Sequence, residues 1–186
     1  MTAAVCYATR EGHTRKIAER IAADLRARGV AVDLFDVRES PPPEWSKYST
    51  ACLAASVHVG HHEKEMIAFA TTHRDALVRL DAAFVSVSLS EVAAEDPRRS
   101  AEERRAAAED ARRMIDVFVH ETGWCAEHAL SVAGALAYSK YNLLVRFLMK
   151  RIARDKGAPT DTSRDYEFTD WQAVDRFAGD IADRTR

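Results

Sequence analysis

Between a short apolar run and an amphipathic stretch stands Thr9-Arg10-Glu11-Gly12-His13-Thr14. Two hydroxyls around a glycine, immediately before a helical pattern, are a place to hold an anion. The amides near Gly12, His13 and Thr14 face outward at the positive end of a helix dipole, and glycine lets the backbone approach a ligand closely. No lysine stands in this turn and no G-x-G-x-x-G follows, so a phosphate monoester suits it better than a triphosphate with magnesium. The residues alone leave a second reading open: a helix end capped by threonine with nothing bound.

A second chemical feature is KYNLLVRFLMKRIARDK, residues 140–156. Leu144, Val145, Leu148, Met149 and Ile152 fall on one side of a helix, while Arg146, Lys150 and Arg154 recur every fourth residue, joined by Lys140, Arg151 and Lys156. A basic, strongly apolar helix reads as a membrane-surface element or a platform for an anionic substrate. The competing reading is a last sheet-covering helix with its apolar face in the core.

The elements that must carry these features alternate between strand and helix. Ala3–Ala8 is a short apolar strand; Thr14–Arg28 is a helix closed by Gly29; Val30–Val37 alternates like a strand near an edge. Ser40 to Pro43 is a rigid connector. Ala51–Val57 is a buried strand, Glu63–Leu80 a helix and Ala82–Leu89 a strand. Ser100 with Glu103 forms a capping box for a helix to about Glu121, its inner stripe being Ala107, Ala111, Met114, Ile115 and Phe118. Ala129–Ala133 is a fifth strand, Tyr141–Lys156 helical, Gly157–Phe168 a loop, and Thr169 with Gln172 a capping box for the final helix. Five strands with intervening helices predict an α/β, doubly wound parallel sheet with helices on both faces. Ligands of such sheets sit beyond the strand carboxyl ends. Strands one, three, four and five end there in Thr9, Ser56, Ser88 and Gly134, small or hydroxylated residues that leave room and supply hydrogen bonds.

The 186 residues suit one domain, and 47% hydrophobic with 30% charged residues is ordinary for a globular protein. A formal net charge of -2 argues against nucleic acid as a partner. Cys6, Cys52 and Cys125 are odd in number and far apart, without metal-binding spacing; the first two read as small core hydrophobes and no metal is expected. With neither a signal peptide nor a run of about 20 apolar residues, the chain reads as cytoplasmic.

Thr-x-x-Gly-x-Thr after a first strand resembles the FMN phosphate loop of flavodoxins. More narrowly, AASVHVGHH from Ala54, AAFVSVSL, VAGALAYSKY and TDTSRDYEFTDW resemble the flavodoxin-type, menaquinone-dependent protoporphyrinogen IX dehydrogenases of bacteria, over almost the whole chain. The resemblance implies a flavodoxin-like, five-stranded domain over residues 1–186 with a family-specific helix and loop region at 138–169. It implies FMN as cofactor, protoporphyrinogen IX as substrate, menaquinone or ubiquinone as acceptor, and peripheral contact with the cytoplasmic face of the inner membrane as an open possibility. Thr9, Arg10, Glu11, Gly12, His13 and Thr14 would wrap the FMN phosphate. Ser56, Val57, His58, Val59 and Gly60 would flank the isoalloxazine ring, Ser88 and Leu89 would border its other side, and Gly134, Ala135 and Leu136 would complete the pocket. Lys140, Arg146, Lys150, Arg151 and Arg154 would meet substrate or membrane. The family commonly has Arg and Tyr before the glycine, where this chain has His58 and Val59, so the aromatic ring for stacking is missing.

His58 and His61, with His62, cluster beside the expected ring edge; histidine titrates in the range suited to proton transfer, and the first two are the candidate bases. The plainer reading makes His61 and His62 polar residues ahead of a helix. A flavodoxin-type electron carrier would share the pocket, but such carriers are typically strongly acidic, which fits a net -2 and a basic helix poorly. A phosphorelay receiver needs acids where Thr9 and Ser56 stand. A scaffold that has lost its cofactor remains the third alternative.

Overall fold

A computed structural model describes residues 1–141, 147, 150, 151, 153, 154 and 158–185. Its first strand, β1 (Thr2–Ala8), leads into α1 (His13–Ala27), followed by β2 (Ala31–Asp36), β3 (Thr50–His58), a two-residue β4 (His61–His62), α2 (Lys64–Arg79), β5 (Ala83–Ser88), α3 (Ser90–Glu95), α4 (Ala101–Thr122) and β6 (Ala129–Ala133). Two short strands, β7 (Ala135–Leu136) and β8 (Tyr166–Glu167), and the final helix α5 (Trp171–Arg184) complete it. The main sheet runs β2-β1-β3-β5-β6, and every neighbouring pair on that path is parallel.

The order reverses between β1 and β3, because β2 lies outside β1 while later strands add on the other side. The crevice beyond the carboxyl ends of these strands is the binding place of a doubly wound sheet. Alternation along the strands supplies two apolar faces. Val5, Tyr7, Ala54, Val85 and Val132 pack with Ile17, Ile21 and Leu25 of α1 and with Val174, Phe177 and Ile181 of α5. Ala4, Cys6, Leu53 and Phe84 pack on the opposite face with Met66 and Leu77 of α2, Phe118 of α4 and Trp124. Cys6 and Cys52 are free and buried; burial pushes both thiols up, Cys52 to about 12, which makes them inert packing groups.

Local signals end several elements where expected. Ser100 and Glu103 form the reciprocal capping box, with Glu103 N donating to Ser100 Oγ at 3.2 Å and Ser100 N to the Glu103 carboxylate at 2.9 Å. Three assignments differ. The final helix is capped by Asp170, which accepts from the amides of Gln172 and Ala173, because Thr169 is drawn inward to donate to Ala133 O at 2.7 Å. The stretch expected to be a loop before it contains β8, paired antiparallel with β7. The segment ahead of Asp96-Pro97 coils into α3, against which α4 packs; Ser90 Oγ donates to Asp110 at 2.6 Å. Of the expected helix at 141–156, Phe147, Lys150, Arg151, Ala153 and Arg154 are helical. Arg146 and the apolar residues Leu144, Val145, Leu148, Met149 and Ile152 lie outside the described residues.

Candidate functional site

The turn after β1 is shaped by its own backbone. Gly12 takes φ 92° and is the N-cap of α1, a conformation that costs glycine little and an L side chain more. Its amide donates to Thr9 Oγ1 at 3.0 Å, and α1 carries no acid in its first turn to oppose an incoming anion. Thr14 points its hydroxyl inward; the residue is 1% exposed and Oγ1 has no hydrogen-bond partner among the described residues. Buried hydroxyls are ordinarily bonded, and leaving one unmatched costs about 1–3 kcal/mol.

Thr14 also lines a cleft at the carboxyl ends of β1, β3, β5 and β6. Thr9, Glu11, His13 and Thr14 line one end; Ser56, Val57 and His58 line a wall; Ser88, Leu89, Gly134 and Ala135 form the remainder. Ser88 Oγ is a second buried hydroxyl without a partner among the described residues. A helix N-terminus and two unmatched donors beside a partly apolar cleft suit a ligand that joins an anionic group to a flat polar ring. Tyr141 also lines it, and burial raises its phenol to about 12.

Other residues expected at the site turn elsewhere. Arg10 reaches across to Glu63, Nε to Oε2 at 3.0 Å. Val59 and Gly60 form the bend between β3 and β4, both at positive φ (51° and 83°), as a tight two-residue hairpin requires; Val59 is 91% exposed. Leu136 is fully buried in a separate small core with Tyr138 and Tyr141. The three histidines part company. His58 faces the cleft, whereas His61 is exposed and bonded to Glu121 at 2.7 Å. His62 is a core residue, edge-on to Phe84 and Phe118 and 2.9 Å from Ser86 Oγ. Burial pushes it down to about 4, so it is neutral at pH 7.

Two participants, Glu63 and Thr169, were not anticipated, and two expected residues, Glu11 and Lys140, take partners that were not. Glu63, whose side chain is 1% exposed, lies 3.0 Å from His58 Nε2 and accepts from Ser56 Oγ at 3.3 Å as well as from Arg10. Burial raises its carboxyl, but the bonds from His58 and Arg10 outweigh that and hold it below the ordinary range. Glu11 adds a second carboxylate 3.6 Å from His58 Nε2. Thr169, its proton given to Ala133 O, accepts from His13 Nε2 at 2.6 Å; burial pushes His13 down even though Glu167 works against it. Lys140 Nζ donates to Glu11 O. Apart from the contacts of Glu63 with Ser56 and His58, seven and five residues away across the β3–β4 reversal, each partner is remote in sequence from the residue it meets, so no local pattern could have found it.

A family model described as "Flavodoxin domain" matches residues 4–163. Protoporphyrinogen IX dehydrogenase (quinone) of Escherichia coli strain K12 is 31% identical over 185 residues, covering 100% of this chain and 97% of that protein. A Leishmania major protein of the same name is 30% identical over 177 residues, covering 95% of this chain and 72% of its own length. Among solved structures, a flavodoxin from the domain Archaea matches at 17% identity with TM-score 0.52, covering 100% of this chain and 99% of its own. A short-chain flavodoxin associated with a non-canonical PDU bacterial microcompartment matches at 13% and TM-score 0.59, with the same coverage. These last two likenesses concern the fold.

Proposed function

The chain belongs to the flavodoxin domain family, and on that premise we propose that it is an FMN-dependent oxidoreductase that converts protoporphyrinogen IX to protoporphyrin IX with a quinone as acceptor. The observation that carries the reading is the match, over nearly the full length of both chains, to relatives bearing that enzyme name. The cleft supports it independently, through the unmatched hydroxyls of Thr14 and Ser88, two residues that line it beside a helix N-terminus.

FMN, when bound, supplies the hydride-accepting chemistry. The residues around it have separate tasks. Thr14 Oγ1 and the amides of the turn would hold the phosphate, and Ser88 Oγ and the backbone near Gly134 and Ala135 would meet the ring. His58, on the cleft wall and held by Glu63 and Glu11, is the group placed to take a pyrrole proton from substrate. His61, turned to Glu121, is left without that role.

Menaquinone or ubiquinone would be the acceptor, and both are lipid-soluble. Phe147, 69% exposed, stands at i, i+4 and i+7 spacing with the exposed Arg151 and Arg154, which favours contact with an anionic membrane surface. No helix among the described residues is long and apolar enough to cross a membrane. The reading is tested by anaerobic mixing of FMN-loaded protein with protoporphyrinogen IX and a water-soluble quinone. Porphyrin fluorescence should rise in proportion to quinone reduced. A rise no faster than the protein-free control would leave the chain an electron carrier.

A further inference from the structure

The phosphate turn is held from outside by the C-terminal segment. Lys16 Nζ meets Glu167 at 3.1 Å, His13 Nε2 meets Thr169 at 2.6 Å, and Lys140 Nζ bonds the carbonyl of Glu11. Gly12 brings the backbone so near that a Cβ there would lie 3.4 Å from Lys140 Nζ. The ammonium therefore rests on the turn itself, though 129 residues of chain separate its donor and acceptor.

The charges around it decide what that ammonium can do. Glu11, Asp165 and Glu167 present three carboxylates beside the turn, against the two ammoniums of Lys16 and Lys140. Lys16 is committed to Glu167, and Asp165 accepts from Ser139 N at 2.8 Å and Ser139 Oγ at 2.6 Å. Arg10 is committed to Glu63. Arg38 bonds Thr9 O at 2.7 Å from the far side of the turn and lines neither neighbouring cleft. Lys140 donates to a neutral carbonyl and, among the described residues, forms no ion pair. Glu11 lines the Thr14 cleft, whereas Asp165, Glu167 and Lys140 line the one adjoining it across the turn; a phosphate dianion held at the turn has these carboxylates nearby and needs a cation close to it. Lys140, within electrostatic reach of Asp165, is the cation there that forms no ion pair among the described residues.

We propose that Lys140 is the phosphate-recognition residue of the turn: the fold supplies from its C-terminal segment the lysine that the turn's own sequence lacks, and thereby selects a phosphorylated flavin over its dephosphorylated form. The proposal rests on the FMN reading and adds to it the group that reads the phosphate.

Titration of apoprotein with FMN and with riboflavin, followed by quenching of flavin fluorescence, tests it. Lys140→Met should weaken FMN about tenfold at low salt and leave riboflavin unchanged, since the lost charge-assisted bond is one the dephosphorylated ligand never makes. Lys140→Arg should keep most of the preference, and the wild-type advantage should shrink as salt screens an exposed charge. Arg38→Met is the charge control and should leave the ratio of the two affinities near wild type. The proposal is overturned if Lys140→Met weakens both flavins alike, which would make the residue architectural, if it changes neither, or if Arg38→Met reproduces its effect. Uptake of FMN by wild type with an unaltered Lys140→Met affinity refutes this proposal alone. Failure of wild type to take up FMN refutes the cofactor reading and the proposal together.

Discussion

Replacing Thr14 by valine should move two measurements in opposite directions. The hydroxyl is buried with no partner among the described residues, so the apoprotein bears a desolvation cost of about 1–3 kcal/mol for it. Valine has nearly the same shape and a similar helix propensity, and its methyl suits the apolar surroundings of Ile17 and Ala18. Apoprotein stability should rise by about 1 kcal/mol, since local relaxation already recovers part of the cost. In the complex the same hydroxyl would donate to a phosphate oxygen; its loss should cost about 1.5–3 kcal/mol, or roughly 10- to 150-fold in Kd. Urea unfolding without flavin and fluorescence titration with FMN measure the two effects. Lower apoprotein stability would mean that the hydroxyl is bonded in the folded chain. Unchanged FMN affinity would place the phosphate elsewhere.

Two further outcomes concern buried titratable groups. With His62 pushed down to about 4 by burial, the unfolded chain binds a proton there that the folded chain refuses between that value and the ordinary histidine range. Stability should therefore be fully present above about pH 7 and fall by about 2 kcal/mol on going to pH 5. His62→Gln should flatten this dependence in urea unfolding at the two pH values; parallel slopes would assign it to other groups. Glu63→Gln removes the carboxylate shared by Arg10, His58 and Ser56 and should cost about 2 kcal/mol at neutral pH, discounted for the half-exposed Arg10. Because the Glu63 carboxyl is held low, wild type should lose its advantage only as pH falls through the carboxylate range. A difference that persists at pH 3 would contradict the assignment.

Sequence alone determined what depends on neighbours along the chain. Alternation and helical spacing set out five strands and their helices, the Ser100–Glu103 cap lies within one turn, and Thr9 to Thr14 could be read as an anion-binding bend because a glycine and two hydroxyls sit next to a helix start. Those features are local, and local propensity carries them. Only tertiary structure decided the rest. Three histidines within five residues went to a cleft wall, to solvent and to the core, because a two-residue reversal at Val59 and Gly60 and the pleat of β3 and β4 send successive side chains to different places. Thr169 could not be a helix cap once Ala133 and His13, 36 and 156 residues away, took its hydroxyl. Glu63 joined the site through Ser56 and His58 across the β3–β4 reversal, with Arg10 from 53 residues away as its third partner, and Lys140 through a contact 129 residues distant. Such pairings follow from strand order and from where the C-terminal segment packs, and periodicity along a single chain contains neither.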